Sequence, residues 1–385
     1  MGKDAFEITI NIVKMFVIFL MMVQLVPILV WVERRGSAFI QNRLGPNRVG
    51  PLGLLQLLAD AVKFLFKEEF APQKGVKFMY YGAPVAAMIP GALAFASIPL
   101  STPLAIAPFE MFGHTFGPYN FIIQGYDLGI GIVFVLGISS LGAYSLLMAG
   151  WGSANKFSLL GALRASAQMI SYELALSLAL VGILMVYGSF HFTEIVRQQI
   201  GVPLTYTVLG KTLTLPLPAW GIFYQPLGAI IFFAATFAET NRLPFDLPEA
   251  EGELVAGFHT EYGGFKMLLF FIGEYGHMLV ASALLVTFFL GGYALPVYTW
   301  TPEFVNAGIA AKIGAGNLAN ILTSLLFHVV FLVKVLFFLW VFIWVRWTLP
   351  RFRYDQLMNL GWKTMLPWAL ANTIITAIIL ALAHG

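Results

Sequence analysis

The chain has 385 residues, of which 59% are hydrophobic and 11% charged, with a net charge of +3 and no cysteine. A soluble domain carries about 25% charged residues, so this composition predicts an all-α polytopic membrane protein. The small net charge excludes bulk attraction to nucleic acid, and the lack of cysteine excludes disulfides, thiolate-held iron–sulfur clusters and Cys-based zinc sites.

An apolar run at 10–32 opens the chain. "VERRGS" follows it instead of a small-residue cleavage site, which reads as an uncleaved first span. Next comes "ERRGSAFIQNRLGPNRVGP", with Glu33, Arg34 and Arg43. Its glycines and prolines predict a tightly folded loop, not a helix. Arginine suits partly buried ion pairs. The loop reads either as a contact for anionic lipid or as one wall of a cavity. From about 52 to 67, Leu54, Leu55, Leu58, Val62, Leu65 and Phe66 recur at helical spacing, with Asp60 off the stripe. This predicts a surface-parallel amphipathic helix.

Seven further apolar runs lie at 78–100, 128–150, 166–188, 219–239, 266–292, 320–346 and 364–383. About 20 apolar residues cross a bilayer as a helix, so about eight spans are expected, in a single transmembrane domain covering 1–385. Pro203 to Pro218 reads as an extended external loop. Sixteen of the 22 Lys and Arg residues fall in alternate connections. The excess of basic residues predicts that these face the cytoplasm and that both termini lie outside.

Ionisable groups within spans cost about 2.5–3.5 kcal/mol at the bilayer centre on insertion scales, so each needs a partner or a wet route. Glu173 lies in the fourth run, Glu239 ends the fifth and Glu274 lies in the sixth, three residues from His277. A string of such acids with water between them reads as a proton relay; the plainer reading is a set of hydrogen-bonded structural carboxylates. "AETNRLPFDLPEAEGE" adds Arg242, Asp246, Glu249, Glu251 and Glu253, and Glu261 follows. Acids contribute little to topology, so insertion does not explain them. "RWTLPRFRYDQLMNLGWK" supplies Arg346, Arg351, Arg353 and Asp355. His328 and Lys334, six apart in the seventh run, read as satisfied interior groups. The six histidines offer no obvious pair of axial ligands, so neither haem nor metal is expected in this chain.

Four stretches carry a family resemblance: "ERRGSAFIQNRLGPNRVGPLGLLQLLADAVKFLFKE", "SLLGALRASAQMISYELAL", "AETNRLPFDLPEAEGELVAGFHTEYGGFKMLLFFIGEY" and "RWTLPRFRYDQLMNLGWK". They resemble the H-type membrane subunit of bacterial NADH–quinone oxidoreductase, respiratory complex I, known in mitochondria as NADH dehydrogenase subunit 1. The third stretch is the most specific. The resemblance implies a multi-pass subunit of the bacterial inner membrane with an antiporter-like half bundle in its middle spans. It implies partners in the peripheral redox arm and the proton-pumping membrane arm, and a quinone substrate bound where this chain meets peripheral subunits.

Carried over by motif, Glu33, Arg34, Arg43, Asp60, Arg242, Asp246, Glu249, Glu251 and Glu253 would line or support a quinone tunnel. Glu173, Glu239, Glu261 and Glu274 would begin a proton path. Arg346, Arg351, Arg353 and Asp355 would brace the cavity and dock the peripheral arm. "FIGEY" and "PEAEGE" depart from the commoner family patterns but keep the acids in register. The competing readings are the homologous subunit of a membrane-bound hydrogenase, which needs no quinone, and a stand-alone cation/proton antiporter. A purely structural anchor would not need so many intramembrane acids.

Overall fold

The computed structural model describes residues 3–111, 114–116, 118–208, 211–247, 254–314 and 316–384. Among them, seven helical segments are long and apolar enough to cross a membrane, and the chain is a multi-pass membrane protein. Helix α1 (Lys3–Ile40) leads into a loop, a short 3-10 turn (Pro51–Gly53) and α2 (Gln56–Phe66). Helices α3 (Lys77–Ala96), α4 (Gly131–Ser139), α5 (Leu141–Gly152) and α6 (Lys156–Tyr187) follow. The chain continues through α7 (Phe192–Gln199), α8 (Gly221–Tyr224), α9 (Pro226–Glu239), α10 (Gly264–Phe289), α11 (Pro302–Ile313) and α12 (Asn317–Thr348). It closes with α13 (Tyr354–Asn359), a π turn and α14 (Leu366–His384). The basic connections touch one another, Asn155 bonding Glu261 and Arg351 pairing with Asp246, and their side of the molecule is here the basic end.

Helix α10 is central: 72% of its most apolar window is buried, against 22% for α1. Its close approach to α3 depends on Gly273, where a Cβ would meet the Ala87 carbonyl oxygen at 2.8 Å. The outer flanks of α1, α12 and α14 expose leucine, isoleucine, valine and phenylalanine, as lipid-facing surfaces do.

Several elements differ from the sequence expectation; the run at 128–150, for one, is split at Ser140 into α4 and α5. Helix α1 does not end at 32 but runs through "ERRGSAFI" to Ile40, so the segment read as a loop begins only at Gln41. Gly36 serves approach rather than turning: a Cβ there would meet the Trp340 ring of α12 at 2.9 Å. The run at 219–239 is broken into α8 and α9 at Gln225 (φ −133°, ψ 59°). Pro226 supplies no N–H and disfavours helical geometry in the residue before it. The break is satisfied from α14, where Asn372 Nδ2 donates to Gln225 Oε1 at 2.7 Å and Gln225 Nε2 donates to Thr376 Oγ1 at 2.6 Å.

Among the described residues, the far end carries three two-stranded antiparallel pairs. Strands β1 (Leu104–Ile106) and β4 (Tyr119–Phe121) pair, as do β2 (Phe109–Met111) and β3 (His114–Phe116). The segment read as an extended loop is the hairpin β5 (Pro203–Val208) and β6 (Lys211–Pro218).

Candidate functional site

The basic end holds a buried ion cluster built from three helices and one turn. Glu33, on the last turns of α1, and Arg242, just past α9, are 4% and 3% exposed. Arg242 Nη1 donates to both Glu33 oxygens at 3.2 and 3.0 Å. Its Nε lies 2.7 Å from Glu274 Oε1 on α10. Tyr275 donates its hydroxyl proton to Glu33 Oε2 at 2.6 Å, and its ring lies 4.2 Å from the Arg242 guanidinium carbon. Arg346 of α12 bonds the other Glu33 oxygen. Burial pulls against the charge on Arg242, but Glu274 and Glu33 hold its guanidinium well above its ordinary pKa. Such a pair is costly to desolvate and still more costly to break.

The turn that delivers Arg242 is organised by Gln168 of α6. Its Nε2 donates to the carbonyls of Ala238 at 2.8 Å and Phe245 at 2.9 Å. Asn241 takes a left-handed conformation (φ 50°), which asparagine tolerates better than most residues. Phe245 then packs against Tyr172 and Phe352, with ring centroids 5.4 Å away in each case.

Beside the cluster lies a cavity of about 50 Å³ lined by Glu239, Glu274, His259 and His277, among others. A water takes about 30 Å³ in the liquid, so the space holds one or two. Glu239 and Glu274 thus face one water-sized chamber from different helices. Glu239 also contacts the Ser139 hydroxyl at the α4–α5 break and feels the charge of Glu173.

The remaining candidates separate. Arg34 pairs with Asp60 of α2 at 2.5 Å, half-exposed, and Gln56 also holds Asp60. Arg351 reaches Asp246 at 3.0 Å. Arg353 and Asp355 pair at the surface. Arg43 is exposed and bonds Gln41. Glu261 accepts from Asn155 Nδ2 at 2.7 Å. Glu249, Glu251 and Glu253 lie outside the described residues. Residues assigned by sequence to the tunnel (Glu33, Arg242), the proton path (Glu274) and cavity support (Arg346) therefore meet in a single cluster.

Sequence reasoning missed Tyr275, Gln168 and His259. Tyr275 had a legible signal, since a buried tyrosine hydroxyl needs a partner and this one follows Glu274 directly. In α12, Lys334 is a satisfied interior group. Its ammonium donates to the carbonyls of Leu290, Gly292 and Ala294 at 2.7, 3.0 and 2.6 Å, capping the end of α10, and lies 4.5 Å from the Trp220 ring centroid.

The family model described as NADH dehydrogenase matches residues 13–377. The chain is 66% identical over 386 residues to the NADH-quinone oxidoreductase H subunit of Bdellovibrio bacteriovorus, covering all of this chain and 99% of that one. The chain belongs to the NADH dehydrogenase family, as an H-type component of NADH-quinone oxidoreductase. An H subunit from Geobacter metallireducens, the first of its numbered copies, is 44% identical across 99% of this chain and all of its own. An H subunit from Salinibacter ruber is 44% identical, covering 91% of this chain and 90% of its own. Every residue of the buried cluster, from Glu33 to Arg346, falls within the span matched by the NADH dehydrogenase family.

Proposed function

We propose that this chain forms a wall of the quinone chamber of a bacterial proton-pumping NADH:quinone oxidoreductase and the first segment of its coupling path. It contains no redox centre of its own; electrons reach the quinone from partner subunits of the peripheral arm. The basic end faces the cytoplasm and both termini face the opposite side of the inner membrane. In this reading Arg34, Asp60, Asp246 and Arg351 border the chamber at the basic end. Arg43, Glu249, Glu251 and Glu253 belong to the same border by motif. Arg353 and Asp355 meet the peripheral arm. Glu261, Glu173 and Glu239 continue the acidic path with Glu274.

The observation that carries the reading is the continuity from Glu33 through Arg242 to Glu274 and on to the water-sized cavity shared with Glu239. Reducing a quinone takes two electrons and two protons, and an anionic intermediate changes the local field. One unit charge at about 4 Å, in an effective dielectric of about 20, is worth about 4 kcal/mol. That changes the proton affinity of a neighbouring acid by about a thousandfold. Arg242 is linked to both Glu33 and Glu274, so a charge arriving near Glu33 redistributes its pairing and changes what Glu274 presents to the cavity.

A photoreactive quinone analogue tests the chamber. In the assembled complex it should label the segment 34–66, and excess quinone should compete the label away. Labelling confined to other subunits, with this chain untouched, would remove the chamber assignment. A stand-alone antiporter would transport cations without partners, whereas this chain purified alone should not.

A further inference from the structure

The far end of the molecule carries a second cavity, of about 490 Å³, within the range of small-ligand sites. Its walls come from the segment 102–105, β4, α7, the segment after α10, α11 and the first turns of α12, and six of the side chains carry the argument: Arg197, Tyr293, Glu303, Asn306, Asn320 and Thr323. The last three make a fixed polar floor. Asn306 Nδ2 donates to Asn320 Oδ1 at 2.9 Å, Thr323 Oγ1 donates to Asn306 Oδ1 at 3.3 Å, and Asn320 Nδ2 donates to the Ala105 carbonyl at 2.8 Å.

Two features point to a ligand. Tyr293 is 4% exposed, packs its ring on Phe327 and lines the cavity, yet its hydroxyl has no hydrogen-bond partner among the described residues. That hydroxyl is open to the cavity rather than sealed in the core, so a ligand there would replace water on it. The cavity also carries both charges. Arg197 spends two guanidinium nitrogens on Glu194, and Glu303 acts electrostatically on the Tyr293 hydroxyl. A cation and an anion on one rim fit a zwitterion better than a simple anion or cation.

The depth and surroundings identify the source. Asn320 and Thr323 sit on the opening turns of a span, at head-group level. On those same turns Leu318, Ile321 and Leu322 are exposed and apolar, a surface on which acyl chains can lie.

We propose that this cavity binds the head group of an aminophospholipid of the phosphatidylethanolamine class. The phosphate lies against Arg197 and the floor amides; the primary ammonium donates to Tyr293 and Glu303. A quaternary choline has no N–H to give them, and phosphatidylglycerol has no cation.

The test uses the whole complex in phosphatidylcholine nanodiscs, titrated with isotope-labelled phosphatidylethanolamine and read as lipid retained per complex by native mass spectrometry. The wild type should retain a saturable component that neither phosphatidylglycerol nor soluble glycerophosphoethanolamine displaces. Glu303→Gln should weaken retention by about tenfold, the value of one charge-assisted hydrogen bond. Tyr293→Phe, which keeps the ring on Phe327, should weaken it in the same direction. Equal retention by both variants, equal occupancy by phosphatidylglycerol, or no saturable component would overturn the proposal. Displacement by the soluble head group would overturn the lipid source.

Discussion

Arg242 and Glu33, 209 residues apart, make a two-pronged hydrogen-bonded ion pair at 3.0 and 3.2 Å, buried where α1, α10 and the turn after α9 converge. Neither charge has water to fall back on. Arg242 is raised above its ordinary pKa, so its share of stability is present below the unfolded value and is lost only as the pH rises past the folded one. No working pH reaches that range, and Arg242 stays a fixed charge around which the acids adjust.

Removing one member of this pair should be worse than removing both. Glu33→Gln or Arg242→Gln alone leaves the cluster one charge out of balance; Glu274 and Arg346 still pair with what remains, so the cost falls below the about 3–5 kcal/mol of a fully stranded buried charge. The double variant should recover part of that loss, with a coupling of about 1–3 kcal/mol. Thermal melting of the purified complex, followed by release of this subunit, reads both quantities.

Asp60→Asn separates function from stability. The Arg34–Asp60 pair is only half-buried, with side-chain exposures of 46% and 23%, and such pairs contribute about 0–1 kcal/mol. Assembly on native gels should be unchanged, whereas the KM for a short-chain quinone should rise several-fold. Asp355→Ala, at the far more exposed Arg353–Asp355 pair, should leave the quinone KM unchanged but loosen attachment of the peripheral arm on the same gels.

Lys334→Met should destabilise the far end of α10. The ammonium satisfies three carbonyls there, and unsatisfied buried polar groups cost about 1–3 kcal/mol each. The prediction is a lower melting temperature and faster proteolysis of the 290–300 segment, with the quinone KM unchanged.

Gly273→Ala tests the contact that seats α10. The added methyl would lie 2.8 Å from a backbone oxygen of α3, and overpacking of that kind costs about 1–3 kcal/mol. The helix carries Glu274 as the next residue, so activity should fall along with stability.

Much of this was legible in the sequence, because apolar run length and basic-residue placement reflect strong solvent preferences. The helical character, most of the long apolar runs and the gathering of ionisable groups near the basic connections follow from them, although the fifth of the eight expected spans forms two shorter helices. What could not be read was pairing. Glu33, Arg242, Glu274 and Arg346 looked like members of three separate groups, because only the packing of α1, α10 and α12 brings them together. Gly36 misled in a physical way. A glycine beside two arginines signals a turn by composition, but here it admits the Trp340 ring and the helix continues past it. Gln225 hid inside an apolar run, although Pro226 marked the break.

The coupling claim is tested most directly by Glu239→Gln in the assembled complex reconstituted into vesicles, with proton uptake measured per NADH oxidised by quinone. The account predicts fewer protons moved per electron pair, or pumping and quinone reduction falling together because the two are coupled. Quinone reduction and proton yield both equal to those of the unaltered complex would contradict it.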